Sequence, residues 1–260
     1  MKRILCVSLR QGCGSTTISA NLAQALVKIN KHAIAVDIDP ANLLRLHLGL
    51  PIANSEGWMH HFLINQSWLD ACYQSPYKVD VLPFGYVPYS KHTVDNLMFV
   101  SALKNLEQGL SCLDESEHES WLVYHGLMSQ LDCINMKDFV LSMDVVFVVL
   151  IPESINYNVL GQWLNDDPIA KILFEQNKLR FIANQYQPET ELGRDFMLVL
   201  KQELGNLLSS VIIHRDISLM DCVANLSTIQ DYAPRSLAAK DFQSLAFWCL
   251  SHLSSEAIKG

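Results

Sequence analysis

A chain of 260 residues, half of them apolar, is long enough to enclose one substantial core. Its formal net charge of −8 argues against general nucleic-acid binding, which needs cationic surface. Seven cysteines without a C-x-x-C pair argue against a disulfide framework, and no apolar run approaches the ~18 residues that would span a bilayer.

Met1-Lys2-Arg3 leads straight into the apolar run Ile4-Leu5-Cys6-Val7, with no secretory signal-like stretch, so a soluble cytoplasmic protein is expected. After this first strand comes the loop Arg10-Gln11-Gly12-Cys13-Gly14-Ser15-Thr16-Thr17. A helix follows, with Ile18, Leu22, Ala25, Leu26 and Ile29 on its apolar face. A glycine-bearing loop between a buried strand and a helix N-terminus is suited to phosphate. Its backbone N–H groups point inward, and the helix dipole favours negative charge there. Cys13 would contribute its amide rather than its thiol.

His32 to Val36 predicts a second buried strand, ending in Asp37-Ile38-Asp39-Pro40. Residues 41–75 read as irregular with short helices. Neighbours on a helix point in different directions, so His60 and His61 are taken as surface or partner-contact residues rather than metal ligands. Lys78 to Phe84 predicts a strand, and Pro83, Gly85 and Pro88 a loop. Thr93 to Leu113 has helical spacing, followed by an acidic surface turn as far as Ser120. Trp121 to Tyr124 predicts a strand ending at His125, and Asn135 to Ser142 a helix. Val145 to Leu150 is the uninterrupted, largely β-branched run that parallel sheets use. A helix around Asn156 to Leu164, a strand from Leu179 to Ala183 ending at Asn184, and a helix from Glu189 to Leu204 come next. Val211-Ile212-Ile213 is expected to be a last strand, and Ser236 to Leu253 a closing helix packed on the core.

Alternating strands and helices give an α/β layered fold with a mostly parallel sheet, read as a single domain over 1–260. Ligands of such sheets sit at the carboxyl ends of the strands. The loop, Asp37, Asp39, His125 and Asn184 all follow strand ends and are expected to converge on one edge.

The loop together with Asp37-Ile38-Asp39-Pro40 resembles the deviant Walker ATPases that include MinD and ParA, whose loop reads K-G-G-x-G-K-[ST]-[ST]. Further segments are similar to the cellulose biosynthesis family BcsQ: Asn42-Leu43-Leu44-Arg45-Leu46, Gly57-Trp58, Trp68-Leu69-Asp70-Ala71, Asp80 to Gly85, Asn184-Gln185, Ile213-His214-Arg215-Asp216, and Tyr232 to Ser236 leading to Asp241-Phe242. The likeness runs from Met1 to about Leu250. It implies a MinD/ParA-like P-loop fold, ATP and magnesium as cofactors, and a homodimer that sandwiches nucleotide. It also implies cellulose synthase accessory subunits as partners, a place at the inner-membrane secretion complex through them, and no specific nucleic acid.

By the same resemblance, Arg10 stands at the lysine that crosses to the partner's nucleotide, where a guanidinium fork would suit phosphate. Thr16 and Asp37 match magnesium-site positions, and Asp39 the position that orients or activates the attacking water. Asn184 matches the residue that reads adenine, and Asp216 lies in the segment flanking the base. A turn-starting role for Asp39 before Pro40 stands beside the catalytic one.

Three positions depart from the family pattern, and two of them, Ser15 and His125, limit hydrolysis. Ser15 replaces the phosphate lysine, which removes a charge. Gln11 replaces a glycine and would be strained wherever positive φ is required. His125 replaces the Walker B aspartate, and magnesium prefers oxygen ligands. Either Asp37 and Thr16 hold the metal alone, or metal binding is weak. The expected activity is therefore a nucleotide-held dimerising regulator of cellulose export, a weak ATPase at most. The alternatives are a scaffold that has lost nucleotide and, against the acidic balance, a partition-type ATPase.

Overall fold

The computed structural model describes residues 1–87, 96–115, 119–131 and 134–254. Seven strands form one sheet: β1 (Lys2–Ser8), β2 (His32–Asp37), β3 (Tyr73–Gln74), β4 (Asp80–Leu82), β5 (Ser120–Leu127), β6 (Val145–Leu150) and β7 (Leu179–Ala183). Their order is β3-β4-β2-β5-β1-β6-β7. Every pairing is parallel except β3 with β4, where a short hairpin caps the edge.

The helices are α1 (Ser15–Lys28), α2 (Leu44–His47), α3 (Trp58–Leu63), α4 (Asn96–Ser111), α5 (Met128–Leu131), α6 (Lys137–Leu141), α7 (Ser154–Asp166), α8 (Pro168–Glu175), α9 (Glu191–Leu204), α10 (Ser218–Ala224), α11 (Ile229–Tyr232) and α12 (Leu237–Leu253). Strand side chains alternate between two cores, as the pleat requires. Leu5, Val7, Leu122, Tyr124, Val146 and Val148 face one core, which α4, α7, α8 and α9 help to build with Leu103, Leu160, Leu173 and Leu200. Ile4, Cys6, Trp121, Val123, Val145 and Phe147 face the other, built with Leu22 and Leu26 of α1 and Phe242, Leu245 and Cys249 of α12. The closing helix therefore packs on α1, as its apolar face predicts. Among the described residues no helix is long and apolar enough to cross a membrane.

Several expectations change: β3, α10 and α11 are elements that were not expected, and two further differences have a clear local cause. Val211 to Ile213 is not a strand. Ser209 N–H donates to Phe181 O, and Ile213 N–H to Ala183 O, but Ser209 Oγ turns the chain at Val211 and only the isolated bridges at Leu208 and His214 form. The helix α8, not expected, begins at Asp167-Pro168, where the aspartate caps Ala170 N–H and proline takes the first turn. The start of the expected Thr93–Leu113 helix and Pro88 of the expected loop lie outside the described residues.

Candidate functional site

Leu9 N–H donates to Val149 O at 2.8 Å and fixes the loop's start to β6. Gly12 (φ 89°) and Gly14 (φ 95°) take the left-handed conformations that turn the chain into α1. A Cβ on Gly14 would lie 2.5 Å from Asn184 Nδ2. That amide, at the end of β7, donates to Cys13 O at 2.7 Å, and Gln185 Nε2 donates to Gly12 O at 3.3 Å. In a trans peptide the N–H points opposite the carbonyl, so tying the Cys13 carbonyl to Asn184 turns the Gly14 N–H away from it. With the first-turn amides of Thr16 and Thr17 in α1, this is a backbone cradle suited to an anion.

Beneath the loop, β2 and β5 pair Asp37 directly with His125, and β5 and β1 pair His125 with Cys6. His125 Nδ1 lies 2.9 Å from Asp37 Oδ1. Its Nε2 lies 3.1 Å from Thr16 Oγ1 and 3.3 Å from Ser15 Oγ. Because a carboxylate only accepts, Nδ1 carries the proton that faces it. Burial opposes charge on the ring most strongly as a single effect. Together, the bond to Asp37 and the charges of Asp37 and Asp39 outweigh it and raise the imidazole's pKa. Asp37 also accepts Asp39 N–H on Oδ1 and Leu44 N–H on Oδ2, each at 3.1 Å. Ser15 is folded inward: its N–H donates to Ser8 Oγ at 3.1 Å and its hydroxyl accepts from Ser8 at 2.8 Å.

Asp39 Oδ1 accepts Ala41 N–H at 2.9 Å, the turn-starting bond weighed against its catalytic role. Burial raises its pKa, with the neighbouring Asp37 adding to the rise and the Ala41 bond and His125 opposing it. Arg10 reaches Glu153, the residue before α7, whose Oε1 also accepts Asn156 Nδ2 at 2.8 Å. Asn156 Oδ1 in turn accepts the Cys13 thiol at 3.2 Å, so the loop is braced against α7.

Beside the loop lies a cleft of about 260 Å³, lined by Gly14, Thr17, Asn184, Arg215, Asp216 and Met220 among others. It joins the loop's amide cradle to the two residues expected near a base. Asp216 Oδ1 accepts Ser218 N–H at 2.9 Å and so helps to start α10. Ile217 and Met220, each 75% exposed, offer apolar surface beside it. A hollow of about 700 Å³ between α7 and α8 is larger, but it lacks the loop and every strand-end residue named above.

The expected convergence on one sheet edge is present, with three revisions. Gln11 does not take a positive φ, since Gly12 and Gly14 carry the turn, and the expected strain does not arise. Thr16 and Asp37, expected to hold magnesium together, are bridged by the imidazole of His125. His61 is buried rather than superficial: it bonds Ser67 O at 2.8 Å and also Glu56. His60 and His61 do not diverge, because one nitrogen of each lies with a Glu56 oxygen in a group whose atoms are all within 4.8 Å.

Sequence reasoning also missed Ser8 and Glu153, and it named Trp58 without its link to Asp37. Ser8 closes β1, and Glu153 follows the end of β6, positions on the ligand edge of such a sheet that could have flagged them. Trp58 Nε1 donates to Asp37 O at 2.8 Å, a contact without a local signature.

His47, at the end of α2, is a further buried imidazole near this cluster. Burial and the neighbouring His125 push its pKa down to about 4, against the pull of Asp37. Below pH 6.5 the unfolded chain protonates this group while the folded one does not, so stability is lost as pH falls from 6.5 toward 4. At pH 5 the loss from His47 should be about 2 kcal/mol. Thermal melts at pH 7 and pH 5 should show a smaller drop for His47→Leu than for the parent chain. Equal drops would contradict the assignment.

A family model described as "Cellulose biosynthesis protein BcsQ" matches residues 1–250. The chain belongs to the BcsQ family. It is 27% identical over 246 residues to the cellulose biosynthesis protein BcsQ of Escherichia coli K12, a match spanning 95% of this chain and 93% of that protein. Among solved structures it is similar to the cobyrinic acid a,c-diamide synthase of Mycobacterium smegmatis with bound ADP and magnesium. There the TM-score is 0.72 at 20% identity, over 98% of this chain and 97% of that one. It is also similar to the septum site-determining protein MinD of Pyrococcus horikoshii, complexed with Mg-ADP. There the TM-score is 0.70 at 22% identity, over 100% of this chain and 99% of that one. These likenesses establish that this BcsQ-family chain has the MinD/ParA-type P-loop fold: a mostly parallel seven-stranded sheet flanked by helices.

Proposed function

We propose that this BcsQ-family chain is an adenine-nucleotide-held switch of the cellulose synthase secretion machinery, hydrolysing ATP slowly or not at all. The observation that carries this reading is the continuity of the Gly12–Gly14 cradle with the cleft at Asn184 and Asp216. Loop amides and the α1 N-terminus would hold the phosphates. Asn184, anchored on Cys13 O, would present its amide edge to the base, with Asp216 beside it. The complexes of two fold relatives with ADP and magnesium support a nucleotide here.

Slow turnover follows from the side chains. Ser15 supplies no charge to the phosphates, and its hydroxyl is committed to Ser8 and His125. Asp39, the candidate for orienting water, is 8% exposed and already closes a turn. Membership of a cellulose biosynthesis family supports accessory subunits of the synthase as partners.

Two copies face to face around nucleotide would place Arg10 at the partner's phosphates. To do so its guanidinium must leave Glu153 or be positioned by it. Arg10→Ala should leave ADP affinity of the monomer within about 3-fold while abolishing the ATP-dependent dimer. Light scattering on a sizing column, with and without ATP, checks this. A dimer unchanged in the variant would sink the crossing role of Arg10. A parent chain that is monomeric at saturating ATP would sink the sandwich itself. The scaffold reading gains if freshly purified protein carries no nucleotide and takes none up.

A further inference from the structure

We propose that this site takes its nucleotide without a magnesium ion, because the side chain of His125 fills the ground that the ion would need between Thr16 and Asp37. The inference rests on the nucleotide reading above and adds that the metal of a Walker-type site has been replaced by a residue.

Magnesium requires near-octahedral oxygen ligands at about 2.1 Å, so opposite ligands of one ion stand about 4.2 Å apart. Here Thr16 Oγ1 and Asp37 Oδ1 are separated by an imidazole ring and two hydrogen bonds, of 3.1 and 2.9 Å. His125 is 1% exposed and cannot swing into solvent to make room. Neither oxygen of Asp37 is idle: Oδ1 accepts Asp39 N–H and faces His125, and Oδ2 accepts Leu44 N–H. Ser15 Oγ, the hydroxyl just before Thr16 at the start of α1, is engaged by the same ring and by Ser8. A carboxylate at 125 would complete an oxygen donor set, whereas an imidazole in this bonding pattern completes a closed one. The register of β2 and β5 places the ring opposite Asp37, so the replacement is built into the sheet and does not depend on a mobile loop. Binding would then rely on the loop amides, the α1 dipole and any arginine from a second copy.

The test is calorimetric titration of the full chain with ADP and with ATP, in EDTA and in excess magnesium. The expected result is the same affinity in both buffers within about 3-fold. A tenfold or greater tightening by magnesium in the parent chain overturns the inference while leaving the nucleotide reading intact. Absence of binding in both buffers overturns the inference and the nucleotide reading together. His125→Asp, confirmed folded by its melt, should acquire a magnesium dependence of tenfold or more, since it restores the missing carboxylate. A folded variant that remains indifferent to magnesium shows that His125 is not the cause and also overturns the inference. The parent-chain comparison decides even if that variant fails to fold.

Discussion

Gly14→Ala should weaken ADP binding at least about 30-fold while leaving a folded protein. Gly14 sits at φ 95°, ψ 27°, at the start of α1. An L-residue forced into left-handed backbone costs roughly 1–2 kcal/mol. The new Cβ would also stand 2.5 Å from Asn184 Nδ2, a side chain that is 4% exposed and has little room to retreat. If Asn184 yields, its bond to Cys13 O is lost; if the loop yields, the amide cradle changes shape. Either way the loop amides proposed to hold phosphate and the Asn184 amide proposed to face the base separate, because one glycine couples them. The expected fall in ADP affinity is at least about 30-fold, near 2 kcal/mol, against a stability loss of about 2 kcal/mol. Calorimetry and chemical denaturation read the two quantities separately. An alanine variant that binds as the parent does would mean that the nucleotide does not use this loop.

Gly57→Ala should give the larger loss of stability, on the order of 3 kcal/mol or more, through a different mechanism. Gly57 has an extended backbone, φ 174°, so no strain is involved. Its added Cβ would lie 2.0 Å from Gly85 N, 2.2 Å from Gly85 Cα and 2.4 Å from Phe84 C, all backbone atoms that cannot rotate away. The start of α3 is tied to the same segment, with Trp58 N–H on Pro83 O at 2.9 Å and Met59 N–H on Phe84 O at 3.1 Å. Pushing the two segments apart therefore breaks these bonds. It also unseats Trp58, which packs edge-on against Phe84 with centroids 5.4 Å apart and bonds Asp37 O. A denaturation midpoint within about 0.5 kcal/mol of the parent would show that the close approach is not required.

These two glycines also mark what could be read from the sequence. The central sheet was legible because its strands are short apolar runs buried on both faces, Val145 to Leu150 above all. The phosphate loop was legible as glycines between strand and helix, and the convergence of Asp37, His125 and Asn184 as positions after strand ends. Contacts between distant parts were not. His125 stood out as a departure from an acidic position, but its bonds to Ser15 and Thr16 span 110 and 109 residues and depend on how β5 sits between β1 and β2. The same holds for Arg10 and Glu153, 143 residues apart. Val211 to Ile213 has strand composition, yet a serine turn beside the sheet edge decides its conformation. The reverse error is α8, whose Asp-Pro start was a readable signal for a helix.

The central claim is that the loop and the adjoining cleft hold adenine nucleotide. Calorimetric titration of ADP into nucleotide-free protein tests it most directly. The account predicts one site per chain with micromolar or tighter affinity, and a melting temperature that rises by roughly 5 °C or more at 100-fold excess over Kd. No heat of binding and no shift in melting temperature, with folded protein at saturating ADP, would contradict it.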